Sequence, residues 1–358
     1  MVKLSGKVLN LVRYLIIKHI FLIGLLLISI PFVSLALLNT AEARYSAIII
    51  DSDNGKILFS RNANILRYPA SLTKMMTLYM AFDALSEKKL KLNQKLRVSK
   101  RAQGQTPSKI GLRYGSEITV ENAILAIISK SANDAATVLA ESLAESEILF
   151  AQSMTQKAKE LGMKRTNFRN ATGLPNRRQK TTAKDMSILS KALLDNHKKY
   201  YHYFSTKKFI YHGKIYENHN QLLINYKGTD GIKTGYIRAS GFNVAASVER
   251  DGKRLIGIVF GGKTAKSRDK HLAKLFDNAF KNYNFKSNAK IPKFKPVKKY
   301  TQLPKINNIQ LVKPNNKKNN DNYWLIQIGA YLKKSDAYAQ IIKASQIFPS
   351  GLSDSTIS

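Results

Sequence analysis

The order of three short motifs constrains this chain more than any other feature of its 358 residues. They read S-x-x-K, S-x-N and K-T-G, at Ser71–Lys74, Ser131–Asn133 and Lys233–Gly235. Each pattern alone occurs by chance, whereas the three in this order form a single signature. We therefore expect the three segments to serve one site.

The first motif predicts a serine that a neighbouring lysine can activate. Apolar residues recur at helical spacing after Pro69-Ala70, so Ser71 is expected to open a buried amphipathic helix. Lys74 then lies one turn later on the same face. A serine hydroxyl is a weak nucleophile until a neighbour takes its proton, and a buried, neutral lysine can do so. A helix-capping serine beside an exposed lysine is the alternative for an isolated S-x-x-K.

The second and third motifs predict a proton relay and a binding edge. Ser131 and Asn133 fall where two helical segments meet; we expect the Ser131 hydroxyl to relay protons and the Asn133 amide to hold a peptide bond, with helix capping as the alternative. Lys233-Thr234-Gly235 is expected on a strand edge, where a cation and a hydroxyl suit a terminal carboxylate. Gly235 lets the backbone approach a substrate closely. The backbone N–H groups of Ser71 and Tyr236 are then placed to form an oxyanion hole.

Two turn signals predict the sheet that carries these segments. Asp53-Asn54-Gly55 joins two short β-type runs near the start of the globular region, and Asp251-Gly252 joins two longer ones near its end. Helical patterns fill the sequence between them. The fold class is therefore α+β, an antiparallel sheet closed by both ends of the domain and covered by helices.

The N-terminus predicts export. Basic residues precede an apolar run at 20–38, and Ala41-Glu42-Ala43 offers a cleavage site, so residues 1–43 are interpreted as a signal peptide. The run is long enough to cross a bilayer, which leaves an uncleaved anchor as the alternative. We expect a periplasmic protein. Attachment to the outer face of the inner membrane is the alternative to a free periplasmic form.

The net charge and the composition limit the classes of molecule that the protein can be expected to bind. The net charge of +36 indicates anionic neighbours, and for an exported chain these are lipid headgroups or anionic wall polymer rather than nucleic acid. The chain has no cysteine, and its histidines lack metal-ligand spacing. We expect neither a metal nor a cofactor.

The composition of the last fifth of the chain, residues 286–358, differs sharply from that of the rest. Residues 286–322 hold ten lysines, four prolines and one acidic residue, which is typical of an extended, self-repelling linker or of a basic strap on an anionic surface. Residues 323–358 contain W-x-I-Q-I-G-A-Y followed by a helical pattern. That segment resembles the first half of a SPOR domain, which implies binding to glycan strands, unless the likeness is accidental.

Residues 44–285 resemble the D-alanyl-D-alanine carboxypeptidases of the low-molecular-weight penicillin-binding protein group. The resemblance extends well beyond the motifs themselves, through Arg67–Thr77, Lys130–Ala136, Leu161–Met163, Asn170–Pro175, Asn218–Leu223, Asp230–Tyr236 and Gly261-Gly262. It implies a β-lactamase/transpeptidase-like fold with a mostly helical lobe. It also implies removal of the terminal D-alanine from peptidoglycan pentapeptides, and covalent inhibition by β-lactams. In this family Ser71 would be acylated, Lys74 would accept its proton, Ser131 would relay protons and Lys233 would bind the substrate carboxylate.

Two other functions fit parts of the sequence. Class A β-lactamases have similarly spaced motifs, but they deacylate with a glutamate beyond S-x-N. In the corresponding window, Met163–Asn170, this chain has no acidic residue, so we expect a persistent acyl-enzyme with penicillin. A non-enzymatic wall-binding protein on the same scaffold is the other alternative; it is disfavoured because no catalytic position is degraded.

Overall fold

A five-stranded antiparallel sheet organises the protein in a computed structural model that describes residues 18–19 and 45–282. The strand order is β2-β1-β9-β8-β7. The strands are β1 (Ser46–Asp51), β2 (Ile57–Arg61), β7 (Thr229–Ile237), β8 (Gly241–Arg250) and β9 (Lys253–Gly262). Two hairpins lie outside this sheet: β3 (Lys95–Arg97) with β4 (Glu117–Thr119), and β5 (Lys208–Tyr211) with β6 (Lys214–Glu217).

The predicted sheet architecture is confirmed. Asp53-Asn54-Gly55 falls between the antiparallel strands β1 and β2, and Asp251-Gly252 falls between β8 and β9. β1 pairs with β9, so strands from the two ends of the domain lie side by side at the centre of the sheet. β7, which carries K-T-G, is an edge strand as expected.

Helices surround the sheet and build the lobe between β2 and β7. They are α1 (Lys74–Ser86), α2 (Lys100–Gln103), α3 (Val120–Ser129), α4 (Asn133–Leu143), α5 (Glu147–Glu160), α6 (Ala183–Asn196), α7 (Lys198–Tyr201), α8 (Leu222–Asn225) and α9 (Ala265–Asn282). Short 3-10 helices span Ala70–Thr73 and His202–Ser205.

Both faces of the sheet are buried, which explains the nearly continuous apolar run in β1. Alternate side chains of a strand point to opposite faces. Ile48 and Ile50 join the large core around α1, whereas Ala47 and Ile49 join the core beneath α9. On α9, apolar residues at helical spacing complete this second core: Leu272, Leu275, Phe276 and Ala279. The sheet is therefore held rigidly between two helical layers, with β7 at its edge.

The predicted signal peptide at 1–43, the predicted linker at 286–322 and the predicted SPOR-like segment at 323–358 lie outside the described residues, apart from the dipeptide at 18–19. Within the part of the chain that is described, no helix is both long enough and apolar enough to span a membrane.

Candidate active site

Ser71 lies in a short turn before the α-helix, whereas the sequence predicts that it opens that helix. It belongs to the 3-10 helix Ala70–Thr73, and the α-helix itself begins at Lys74. The preceding Ala70 has a left-handed backbone (φ +49°), which few L-residues adopt. Two glycines pack against this turn: a β-carbon at Gly173 would lie 1.9 Å from the Ala70 carbonyl oxygen, and one at Gly235 would lie 2.8 Å from the Ser71 nitrogen. The nucleophile candidate is thus fixed by close backbone contacts on two sides.

Lys74 is completely buried, and its amine contacts three oxygen atoms. The Nζ atom lies 2.5 Å from the carbonyl oxygen of Thr172, 2.7 Å from Oδ1 of Asn133 and 3.3 Å from Oγ of Ser71. A carbonyl oxygen and an amide oxygen can only accept, so two N–H bonds of the amine point to them. The third position of the nitrogen faces the Ser71 hydroxyl.

The surroundings of Lys74 favour its neutral form. Burial lowers its pKa well below the usual value for lysine, and the positive charge of Lys233 lowers it further. The carboxylates of Asp134 and Glu147 oppose this shift, but their effect is smaller. A neutral amine with two hydrogens engaged directs its lone pair at the Ser71 hydroxyl. This geometry is that of a base beside a nucleophile.

The S-x-N motif lies between α3 and α4, as expected. Ser131 is almost fully buried and has a left-handed backbone (φ +58°). Ser131 is among the residues that line the cleft, and its buried hydroxyl has no hydrogen-bond partner among the described residues. A buried polar atom without a partner is uncommon in proteins and points to a functional role. Ser131 is therefore available to a group that enters the cleft.

Asn133 makes a contact that the sequence did not predict. Its amide nitrogen donates to the carbonyl oxygen of Thr106 (2.8 Å), and its amide oxygen accepts from Lys74. These two partners fix which way the amide points. Asn133 also lines the cleft, so one N–H of its amide can still meet a peptide bond.

Two of the three K-T-G residues line the cleft, and the third, Lys233, is buried. Thr234, Gly235 and Tyr236 line the cleft, and the ring of Tyr236 is exposed and lies 4.3 Å from that of Phe242. Lys233 is only 1% exposed and donates to the carbonyl oxygen of Thr234 (3.1 Å). Burial, with a smaller contribution from the charge of Arg268, lowers the pKa of Lys233 to about 7. Lys233 thus supplies its charge from below the surface of the cleft.

The cleft has a volume of about 570 Å³ and joins all three motifs. Its lining includes Ser71, Ser131 and Asn133 on one side, Thr234, Gly235 and Tyr236 on another, with Pro107, Ser108, Thr172, Gly173, Leu174, Asn218, His219, Gln221 and Arg268 around them. This volume suits a short peptide.

Two cleft residues are not among the predicted site residues, although His219 lies in a segment that carries the family resemblance. Arg268 is 3% exposed, and its guanidinium donates to the carbonyl oxygen of Asn243 (2.9 Å), at an irregularity in the pairing of β8 with β9. His219 follows β6 and is exposed at the cleft; partial desolvation, together with the charges of Lys233 and Lys130, lowers its pKa to about 4. His219 is therefore neutral at pH 7. Arg268 is a second basic side chain near Lys233, and its guanidinium also pairs with Asp269 (2.7 Å).

The site brings together a serine hydroxyl, a buried lysine amine and further basic side chains. Among the described residues, no group of three or more histidine, cysteine, aspartate or glutamate side chains could hold a metal ion. The arrangement suits attack by Ser71 on the carbonyl group of a peptide that ends in a carboxylate.

Comparisons with known proteins agree with this chemistry. A family model described as D-alanyl-D-alanine carboxypeptidase matches residues 37–264. The chain is 37% identical over 277 residues to D-alanyl-D-alanine carboxypeptidase DacF of Bacillus subtilis, and the match covers 73% of this chain and 69% of that protein.

Solved structures give the same result. Penicillin binding protein 5 from Haemophilus influenzae is similar with a TM-score of 0.64 and 31% identity, over 66% of this chain and 70% of that one. Penicillin-Binding Protein D2 from Listeria monocytogenes, solved in a cefotaxime-bound form, has a TM-score of 0.60 and 31% identity, over 66% of this chain and 96% of that one. The transpeptidase-like fold class is confirmed, and the chain belongs to the D-alanyl-D-alanine carboxypeptidase family of serine peptidases.

Proposed function

We propose that this chain removes the terminal D-alanine from peptidoglycan pentapeptides through an acyl-enzyme on Ser71. Family membership supports a serine-type peptidase that acts in cell wall metabolism and binds penicillin. The observation that carries the assignment of residues is the contact of the buried, neutral amine of Lys74 with Ser71 Oγ, at the foot of the cleft.

In the acylation step, Lys74 takes the hydroxyl proton while Ser71 Oγ attacks the carbonyl carbon of the penultimate D-alanine. The electron pair of the C=O bond moves onto its oxygen, which faces the backbone N–H groups of Ser71 and Tyr236. The C–N bond to the terminal D-alanine then breaks. The leaving nitrogen receives the proton of Lys74 through the Ser131 hydroxyl, so free D-alanine departs and Lys74 is neutral again.

Deacylation repeats these transfers with water. Lys74 takes a proton from a water molecule whose oxygen attacks the ester carbon. The bond from Ser71 Oγ to carbon breaks, and the proton returns to Oγ. The shortened peptide leaves with a new carboxylate, and the serine is restored.

Two cations explain a preference for a free C-terminus. Arg268 and Thr234 line the cleft, whereas Lys233 is buried next to Thr234. A terminal carboxylate would accept charge-assisted hydrogen bonds from this group. Asn133 would hold the preceding peptide bond. A chain that continues past the second D-alanine has no such charge, so release of one residue is favoured.

The test uses the full chain and a fluorescent penicillin. We expect covalent labelling and release of D-alanine from a pentapeptide, with Ser71→Ala abolishing both and Lys74→Ala nearly so. Ser142→Ala is a matched control, because Ser142 lies on α4 and its hydroxyl donates only to the carbonyl oxygen of Leu139. Labelling that survives Ser71→Ala would overturn the assignment. A cross-linked peptide dimer, assayed in parallel, measures endopeptidase activity.

The location and the tail form a separate part of the proposal. The basic, apolar start of the sequence supports export to the periplasm, with attachment to the outer face of the inner membrane through residues 1–43 or the basic segment 286–322. The SPOR-like segment 323–358 supports contact with glycan strands. Wall preparations with and without stem peptides, mixed with the full chain and with a version lacking 286–358, test this. Equal retention of both versions on denuded glycan would remove the role of the tail.

A further inference from the structure

The carboxylate of Asp134 is completely buried and receives hydrogen bonds from three successive backbone N–H groups. The donors are Ile110 (3.1 Å), Gly111 (2.8 Å) and Leu112 (3.0 Å). Gly111 has a left-handed backbone (φ +86°), which turns the segment so that its N–H groups converge on one anion. Burial of a carboxylate is costly unless it is hydrogen-bonded, and this set of donors offsets that cost.

The segment held by Asp134 forms one wall of the active-site cleft. Pro107 and Ser108 line the same cleft as the strand that carries K-T-G. The Ser108 hydroxyl donates to the carbonyl oxygen of Lys130 (2.7 Å), and the Ser108 carbonyl accepts from the backbone N–H of Asn133 (2.7 Å). Residues 105–112 are thus tied to the S-x-N segment at one end and to Asp134 at the other. We call them the wall segment.

The wall segment also determines which way the Asn133 amide points. The carbonyl oxygen of Thr106 takes the amide nitrogen, which leaves the amide oxygen 2.7 Å from Lys74 Nζ. That oxygen is one of the two acceptors that orient the lysine amine toward Ser71. A displacement of Thr106 would release the amide, and Lys74 would lose its second acceptor.

We propose that Asp134 is a positioning residue for acylation: it holds the wall segment, and through Thr106 and Asn133 it orients Lys74 toward Ser71. Asp134 touches none of the reacting atoms. The inference rests on the proposed acylation of Ser71. A purely structural role, as an acidic residue in the first turn of α4, is the competing explanation.

The first experiment compares Asp134→Asn with Asp185→Asn in the full chain. Asp185 is also buried and accepts from the backbone N–H of Arg165 (2.9 Å) and the hydroxyl of Thr166 (2.7 Å), but it does not line the cleft. We expect both variants to unfold at lower temperature. Only Asp134→Asn should slow acylation by penicillin at saturation, by about 10- to 100-fold per folded molecule, because the base is displaced from its productive geometry.

The second experiment tests the wall segment without changing a charge. Gly111→Ala and Gly115→Ala are matched, because both glycines have positive φ and neither would place a β-carbon within 4 Å of another atom. Only Gly111 donates to Asp134. We expect Gly111→Ala to lower the saturating acylation rate several-fold and Gly115→Ala to leave it unchanged. This pair decides the matter if Asp134→Asn does not fold.

The outcomes separate the two proposals. Wild-type protein that penicillin does not label would overturn the acyl-enzyme itself. Normal labelling of wild type, with Asp134→Asn and Gly111→Ala acylated at wild-type rates per folded molecule, would overturn only the positioning role. A loss of penicillin affinity with an unchanged rate at saturation would also contradict it.

Discussion

The α-carbon of Gly235 faces the backbone nitrogen of Ser71 so closely that an added β-carbon would lie 2.8 Å from that nitrogen. Carbon and nitrogen atoms that are not bonded do not approach to this distance without displacement. The edge strand β7 and the turn that carries Ser71 are therefore in backbone contact. The two N–H groups expected to stabilise the oxyanion come from these two segments. The distance between the two groups therefore depends on a glycine at position 235.

We expect Gly235→Ala to reduce acylation by penicillin by about 10²- to 10³-fold, as does the loss of one oxyanion-hole donor. The new methyl group pushes the Ser71 turn away from β7 and separates the two N–H groups. The rate constant for labelling, measured per folded molecule, checks this.

Gly257→Ala is the matched control for that variant, since it adds the same methyl group to the same sheet. There the β-carbon would lie 2.6 Å from Leu272 and 2.7 Å from Phe276, in the core beneath α9. Overpacking of this kind costs about 1–3 kcal/mol of stability. We expect Gly257→Ala to unfold at lower temperature and to acylate normally. Equal labelling of the two variants would show that the contact between Gly235 and Ser71 has no catalytic importance.

The pH dependence of substrate binding should follow Lys233. Its pKa is lowered to about 7, so the amine is charged below pH 7 and becomes neutral as the pH rises above it. The attraction of Lys233 for the terminal carboxylate is then lost on the alkaline side, whereas Arg268 stays charged. We expect KM for the pentapeptide to rise above pH 7, while kcat does not fall, because the lowered pKa of the buried Lys74 favours its neutral, basic form and a rise in pH favours that form further.

Lys233→Arg separates this effect from other titrations. A guanidinium stays protonated well above pH 9. KM of this variant should be higher overall, because the longer side chain fits poorly, but it should not change between pH 7 and pH 9. A wild-type KM that is constant over the same range would contradict the assigned role of Lys233.

Local signals in the sequence predicted the parts of the site that local chemistry determines. Asp53-Asn54-Gly55 and Asp251-Gly252 mark turns because they favour the backbone of a tight hairpin, and both turns occur as expected. The position of S-x-N between two helices followed from the apolar patterns on either side. Ser71 was placed at the start of an α-helix, but the spacing of apolar residues does not distinguish a 3-10 turn from the first turn of that helix.

The remaining contacts depend on packing between distant segments. Arg268 reaches the cleft because α9 packs across the sheet and an irregular residue of β8 offers its carbonyl group. Thr172 accepts the hydrogen bond from Lys74 through its backbone carbonyl oxygen. Because every residue has such an oxygen, the sequence cannot predict which residue provides it. The roles of Lys74, Ser131 and Lys233 in turnover stay predictions, although the structure brings Ser71, Lys74, Ser131 and Asn133 together.

We expect Glu147 to help position Lys74 through the backbone of Ala171 and Thr172. It is 2% exposed; one carboxylate oxygen accepts from the backbone N–H of Ala171 (3.0 Å), and the other pairs with Arg101. Ala171 directly precedes Thr172, whose carbonyl oxygen binds Lys74. We expect Glu147→Leu, which removes both interactions, to destabilise the protein by about 3 kcal/mol and to slow acylation. Chemical denaturation and penicillin labelling measure the two effects.

Glu147→Gln distinguishes the two interactions of that residue. Glutamine keeps an oxygen for the N–H of Ala171 but loses the charge pair, in which Arg101 is largely exposed. The cost in stability should therefore be smaller, about 1 kcal/mol, and acylation should remain close to wild type. If both variants acylate equally well, the position of Thr172 does not depend on Glu147.

The penicillin acyl-enzyme should persist, because the leaving nitrogen of an opened β-lactam stays attached beside the ester and obstructs the water that Lys74 activates for a peptide ester. Among the described residues that line the cleft, Glu217 is the one carboxylate that could act as a second base. The segment 163–174 has no acidic residue. Both carboxylate oxygens of Glu147 already accept hydrogen bonds, one from the backbone N–H of Ala171 and the other from Arg101. Glu217 does line the cleft, but it is exposed at the rim, 3.8 Å from Lys208. We expect one stoichiometric burst of penicillin consumption, followed by turnover that is far slower than the burst. Label retained after a chase with unlabelled penicillin measures the rate of deacylation, and Glu217→Gln should leave that rate unchanged. Rapid loss of label from wild type, slowed in Glu217→Gln, would instead identify Glu217 as a deacylating base and return the chain to the β-lactamase alternative.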